Sequence, residues 1–377
     1  MARGRILKTV LLLGILALFL VPLAVAHAAA KGTITFSDGK GPSDTITISM
    51  TGVADPGAGK VLVGWLISDD GAKKMSTGAL TLADGVASGT YSDPAAANLL
   101  TTYSAFAVSV EASATVTTPS TTVAYSGSIN KAGLVHARHL LVALDTNPDK
   151  KGIAVGYRQQ GTLALTQANL ALAQAKAGNL AGAKSHAEHV VNIIEGSKGT
   201  NFGDLDKDGA TGNPGDGFGV LPYADDAAKH ANLAQTAAAG DDTFDTYAPM
   251  AVASANAAKS KATLARDTTL PVFSATETTI ATLYLTNVVA VLTKAVNGMD
   301  ANGDGVIEAT AAEGGINQAY WSAQKTATIS VAPGAPKPPA TGDIGYGSIA
   351  LIALTGGLVL FAAGGFLYRR SRAYSHR

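Results

Sequence analysis

The chain has no cysteine, which excludes disulfides, thiolate metal sites and iron–sulfur clusters and leaves cores or bound ions to stabilise whatever folds. Aromatic side chains supply only 6% of the residues and charged ones 15%, a balance that favours closely packed helices and small turns over broad aromatic binding surfaces. Several catalytic signatures are also missing. There is no G-x-S-x-G elbow, no G-x-x-x-x-G-K-[ST] phosphate loop and no H-E-x-x-H zinc-protease helix. The glycines at 215, 217 and 219 follow acidic residues, which disfavours phosphate there.

The two ends of the chain carry its longest apolar runs. Arg3, Arg5 and Lys8 precede an apolar stretch from Val10 to Val25, and Ala26-His27-Ala28-Ala29-Ala30 follows, the order of a secretory leader over 1–30 with the mature chain starting near residue 29 to 31. Ile344 to Tyr368 is uncharged and long enough to span a bilayer, and Arg369, Arg370 and Arg372 follow it in the tail 369–377. The positive-inside tendency leaves that tail in the cytoplasm and the body outside. The expected location is therefore the cell membrane or cell surface, with a single span. Of 28 basic residues, 3 belong to the leader and 4 to the tail, so 21 face all 28 acidic ones in the exported portion. An acidic body argues against a nucleic-acid partner and suits divalent cations.

Composition changes near residue 130. Before it, the alternations Thr45 to Met50, Val61 to Ser68 and Tyr103 to Glu111 are separated by turn signals at Asp55-Pro56-Gly57, Asp70-Gly71 and Asp84-Gly85, which predicts an antiparallel β-sandwich over 31–130. After it, alanine-rich segments with helical period fall at about 132–145, 153–177, 180–196, 223–239, 247–265 and 272–297, predicting an all-α bundle within 131–330. A Pro-rich linker over 331–343 leads to the transmembrane helix 344–368. The expected class is a multidomain α+β protein: an N-terminal antiparallel β-sandwich, then an all-α helical bundle, then one C-terminal transmembrane helix.

Seven histidines are present, and four of them form two matching tetrads, His136-Ala137-Arg138-His139 and His186-Ala187-Glu188-His189. Residues three apart share a helix face, and both pairs lie on or beside the apolar stripe of their segment. Helices one and three of an up-down bundle run parallel, so His136, His139, His186 and His189 are expected to converge in one site, with His230 as a fifth nitrogen. Nitrogen ligands without thiolate suit Zn²⁺, Cu²⁺ or haem iron. The alternative is a set of ordinary core histidines satisfied by Arg138, Glu188 and water. Glu188 is expected in a supporting or surface role.

Two acidic runs, Asp204-Leu205-Asp206-Lys207-Asp208-Gly209 and Asp300-Ala301-Asn302-Gly303-Asp304-Gly305, follow the D-x-[DN]-x-D-G opening of a calcium loop. Each resembles an EF-hand or dockerin-type loop over six positions. The twelfth-position glutamate is replaced by Gly215 in the first, with Asp216 next to it, and by Ala311 in the second, with Glu308 at the ninth position and Glu313 at the fourteenth. Isolated Ca²⁺ loops are expected, with ligands from Asp204, Asp206, Asp208 and Asp216 and from Asp300, Asn302, Asp304 and Glu308.

Further motifs carry resemblances to known families. Gly64-Trp65-Leu66-Ile67-Ser68-Asp69-Asp70-Gly71, Ser76-Thr77-Gly78-Ala79-Leu80, Tyr103 to Glu111, Pro119 and Val123 to Gly127 resemble the extracytoplasmic C-terminal domain of anti-sigma-K factors over roughly residues 45–127. The resemblance implies an envelope-facing β-sandwich, in which Trp65 is a core anchor. A leader directly before it leaves no cytoplasmic segment for a sigma factor, so the fold is the part carried over. Pro338-Pro339-Ala340-Thr341-Gly342, the apolar span and the arginine-rich tail resemble a sortase-type surface anchor, with proline where leucine is usual.

Two functions follow as expectations. One is an envelope-anchored extracytoplasmic metal-binding protein, with a histidine-bound transition metal or haem plus Ca²⁺ loops, acting in redox chemistry or sensing. The other is a structural or interaction protein of the cell surface without a transition metal, its partner another envelope protein. An enzyme stays open only through a metal with a free coordination position.

Overall fold

The computed structural model describes residues 30–334. The expected leader up to residue 29, the linker beyond residue 334, the transmembrane helix and the tail lie outside the described residues.

Alternation of apolar and polar residues builds the first half. In β1 (Lys31–Ser37) Ile34 and Phe36 point inward, and in β2 (Thr45–Thr51) Ile46, Ile48 and Met50 do, as period-two strands require. The other strands are β3 (Val61–Ser68), β4 (Lys74–Ala79), β5 (Thr81–Ala83), β6 (Val86–Ser92), β7 (Tyr103–Glu111), β8 (Val123–Ser128) and β9 (Ile329–Pro333). They form one nine-stranded antiparallel sheet in the order β4-β3-β7-β8-β9-β1-β2-β6-β5. The sheet is nearly closed. Across the remaining gap the Tyr91 hydroxyl of β6 reaches Met75 Sδ of β4 at 3.4 Å.

β3 reads as a continuous apolar run because it is buried on both faces. Leu62 and Leu66 face the main core, whereas Val63, Trp65 and Ile67 join Ala105 and Ala107 of β7 in a second apolar cluster on the outside, packed against Val116 and Val123. Trp65 is fully buried and donates its indole N–H to Ser109 Oγ at 2.7 Å. It is a core anchor, with its polar end satisfied as burial demands.

β9 falls where the sequence suggested the end of the helices and the start of the linker. It follows all the helices yet pairs with both β1 and β8, so the middle of the sheet is completed by the far end of the described chain. Ile329 and Val331 point into the core. β8 accepts this neighbour because residue 127 is glycine: a Cβ there would lie 2.0 Å from the Ser330 carbonyl oxygen.

Seven α-helices lie between β8 and β9: α1 (Lys131–Leu141), α2 (Ile153–Lys176), α3 (Leu180–Glu195), α4 (Val220–Ala237), α5 (Asp242–Thr269), α6 (Thr278–Asn297) and α7 (Ile316–Lys325). Side chains of Asn130, Asn179 and Asp241 cap α1, α3 and α5 by accepting backbone N–H groups of the first turn. The Asp241 cap starts α5 earlier than periodicity indicated, and Pro249 is carried inside it. α6 begins later than expected, because Leu270–Ser274, with Pro271 near its start, forms a 3₁₀ turn first. α7, only ten residues long, is a further helix beyond the six segments that periodicity predicts.

α1 packs mainly on α4, α2 on α3 and α6, and α5 on α4, α6 and α7. By length and composition α6 can cross a membrane, but here Ala281, Leu285, Val288, Leu292, Ala295 and Val296 are buried among its neighbours. One apolar core runs from the sheet into the helices. Arg138 of α1 ties the two regions through a bidentate pair with Asp69 and a bond to the Leu100 carbonyl.

Candidate metal centres

α1 can approach the end of α4 and the start of α5 closely because small residues line the contact. A Cβ on Gly133 would lie 2.5 Å from Phe244 Cζ and 2.9 Å from Ala238 Cβ, and Ala137, Ala227, Ala231 and Ala234 are buried beside it. That approach brings His136 and His139 of α1 against His230 of α4. Ring centroids are 5.7 Å apart for His136 and His139, 5.7 Å for His136 and His230, and 5.0 Å for His139 and His230. Each histidine can offer a nitrogen such that all three lie within 4.8 Å of one another.

The nitrogens are poorly served by protein partners. His136 Nδ1 is buried and has no hydrogen-bond partner. His139 Nδ1 and His230 Nδ1 lie 3.3 Å apart, facing each other. That separation matches the roughly 3.3 Å edge of a tetrahedron whose centre is about 2.0 Å from each nitrogen, the bond length of zinc to imidazole. Burial lowers the pKa of His136, with His139 adding to the effect. Burial and then the charges of His139, His136 and Lys229 push that of His230 down to about 4. Both shifts favour the neutral imidazole of His136 and His230, the state in which a histidine ligates a metal.

His186 and His189 do not join this group, and the single site of four or five histidines expected from the tetrads is divided in two. α3 packs on α2, so its pair meets Gln167 of α2 instead of α1. His186 Nδ1 is 2.8 Å and His189 Nδ1 3.1 Å from Gln167 Oε1. Arg138 and Glu188, the neighbours that might have satisfied the histidines, are turned elsewhere: Arg138 to Asp69 and Leu100, Glu188 to an acidic loop.

The two acidic loops share one hydrogen-bond pattern. In the first, Asp204 accepts from the N–H groups of Lys207 at 2.8 Å and Gly209 at 3.1 Å; in the second, Asp300 accepts from those of Gly303 at 2.6 Å and Gly305 at 2.9 Å. Asp206 and Asn302 each accept from the residue two further on, and so do Asp208 and Asp304. A buried glutamate closes each loop. Glu188 accepts from Leu205 and Asp206 with one oxygen and from Gly212 with the other. Glu313 accepts from Ala301 and Asn302 with one oxygen and from Glu308 with the other.

Neither glutamate sits at the twelfth position of its loop, where a calcium loop carries its closing acid. Glu188 comes from α3, ahead of its loop. Carboxylate oxygens of Glu188, Asp204 and Asp206 lie within 4.8 Å of one another. Burial and the charges of Glu188, Asp208 and Asp204 raise the pKa of Asp206 despite a hydrogen bond from the Asp208 N–H.

Two expected calcium ligands are differently employed. Asp216 accepts from Phe218 N–H at 3.0 Å and from the Tyr223 hydroxyl at 2.9 Å, and pairs with Lys151 at 3.7 Å, so it secures the entry into α4. Glu308 contributes its backbone N–H to Glu313, and its carboxyl is pushed up to about 7 by the hydrogen bond with the Glu313 carboxylate. The alternation of acids made the loops legible; a contact between remote segments supplies the glutamate of the first.

Comparison of the chain with protein-family models, with curated proteins and with solved structures finds no match.

Proposed function

We propose that this is an extracytoplasmic metal-binding protein whose transition-metal site is His136, His139 and His230. The observation that carries the reading is the convergence of three imidazoles with a buried, unpartnered Nδ1 on His136 and no carboxylate in the group. Leaving a buried acceptor or donor unpaired costs about 1–3 kcal/mol, and a metal ion removes that cost. Three imidazole nitrogens without thiolate suit Zn²⁺ or Cu²⁺, and the three rings are half-buried.

The acidic loops support Ca²⁺ as a second, structural metal, held by Asp204, Asp206, Asp208 and Glu188 and by Asp300, Asn302, Asp304 and Glu313. The nearly closed sheet reads as a sandwich that carries the helices, and the leader-like start and C-terminal apolar span of the sequence support a body held outside a membrane on a single anchor.

The test is metal content. Untagged protein, stripped with EDTA and titrated with Zn²⁺, is expected to bind at the histidine site, and His136→Ala/His139→Ala is expected to lose that binding while keeping its circular dichroism spectrum. Unchanged Zn²⁺ binding in both this variant and His230→Ala would overturn the assignment.

A further inference from the structure

The geometry points to a second transition-metal site, separate from the three-histidine group, formed by His186, His189 and Gln167. The two imidazole rings are 5.5 Å apart and nearly perpendicular, at 82°. The rings of the first site are 5.0 to 5.7 Å apart, and two of its three pairs are also edge-on. Gln167 therefore stands in the second cluster where a third imidazole stands in the first. Its Oε1 lies 2.8 and 3.1 Å from the two Nδ1 atoms, close to the roughly 3.3 Å ligand–ligand edge around an ion with bonds of about 2.0 Å.

The donors are held in place before any ion arrives. Gln167 is buried on α2, and its Oε1 faces both Nδ1 atoms. The backbone of the first acidic loop closes the opposite edge of His189: a Cβ on Gly212 would lie 2.6 Å from His189 Nε2 and Cδ2. The Nδ1 edge is thus the one presented to Gln167. Burial, with the neighbouring His189, lowers the pKa of His186.

Without a metal both Nδ1 atoms carry protons and donate to the one carbonyl oxygen, which has none to give. Binding moves each proton to Nε2 of the same ring, a tautomer change, and frees both Nδ1 lone pairs for the ion. The ligand class is a borderline divalent cation that takes two imidazoles, one amide oxygen and water. Cu²⁺ fits this set best, since N,O donors in open geometry suit it and it heads the affinity order of the first-row divalent ions.

The decisive experiment is a Cu²⁺ titration of the EDTA-stripped, untagged full-length protein, read by calorimetry and by the copper d–d absorption. Wild type is expected to bind two equivalents with distinct spectra. His186→Ala/His189→Ala should remove one, and His136→Ala/His139→Ala the other. A single equivalent insensitive to His186→Ala/His189→Ala overturns the second site and leaves the first. A single equivalent lost only in His186→Ala/His189→Ala sustains the second and overturns the first. Gln167→Glu keeps the size of the side chain and adds a charge, so it should tighten the second site at least tenfold; an unchanged affinity would overturn Gln167 as a ligand.

Discussion

The sheet and the helices share one core but fill it with different material. The sheet buries Ile34, Ile46, Ile48, Met50, Leu66, Phe106 and Trp65, bulky side chains that interdigitate. Three of the helices, α2, α4 and α5, bury mainly alanine. On α5 the buried stripe is Ala248, Ala251, Ser254, Ala255, Ala258, Ala262 and Ala265, and α2 and α4 repeat the pattern. Large side chains set the spacing of the sheet's two sides, and removing one leaves a hole. Alanines let helix backbones approach, and adding volume forces them apart. The close approach has a geometric consequence, because it brings nitrogens of His136, His139 and His230 within 4.8 Å of one another and Gln167 within hydrogen-bond distance of His186 and His189.

This contrast can be broken by experiment. Phe106→Ala removes a fully buried ring beside Gly64, whose Cβ would lie 2.7 Å from Phe106 Cζ. It should cost about 3–5 kcal/mol in urea unfolding. A cost below 1 kcal/mol would mean that the sheet core tolerates cavities and the contrast is false.

Calcium comes next in size. At a concentration one hundred times the dissociation constant, an ion bound only by the folded state adds about 2.7 kcal/mol. The melting temperature should therefore rise on adding Ca²⁺ and fall back with EGTA. Glu188→Ala together with Glu313→Ala should abolish most of this response while Glu308→Ala preserves it. Identical melting curves with saturating Ca²⁺ and with EGTA would remove calcium from the account.

The smallest effect is expected from Ala258→Leu, an overpacking change in the alanine stripe costing about 1–3 kcal/mol. It should also weaken Zn²⁺ binding less than His230→Ala does, since α5 carries none of the three histidines. A cost larger than that of Phe106→Ala would invert the comparison between the two regions.

Much of this architecture was legible because it follows from local periodicity. Thr45 to Met50 alternates and becomes β2, and the helical run at 180–196 becomes α3, started by Asn179. β9 was illegible, since Ile329–Pro333 is too short to signal a strand without knowing what lies beside it. Pairing with β1 and β8 makes it one. The histidine sites divide along the same line. The i, i+3 spacing put each pair on one face, but which pair meets which partner depends on α1 lying on α4 and α3 on α2. Gln167 carries no sequence signal at all, and Glu188 stands out in the sequence only as a neighbour of the histidines.

By itself the sequence determined the period of each element, the absence of thiol chemistry, the paired imidazoles and the two alternating acidic loops, because each of these is a property of residues close together in the chain. Tertiary structure alone decided that His230 completes the first pair, that Gln167 meets the second, that Glu188 closes a loop lying after it in the chain, and that the end of the described chain fills the middle of the sheet. Those are contacts between segments distant in sequence. They are selected by the packing of small residues between helices and by backbone hydrogen bonds between strands, which local pattern does not encode.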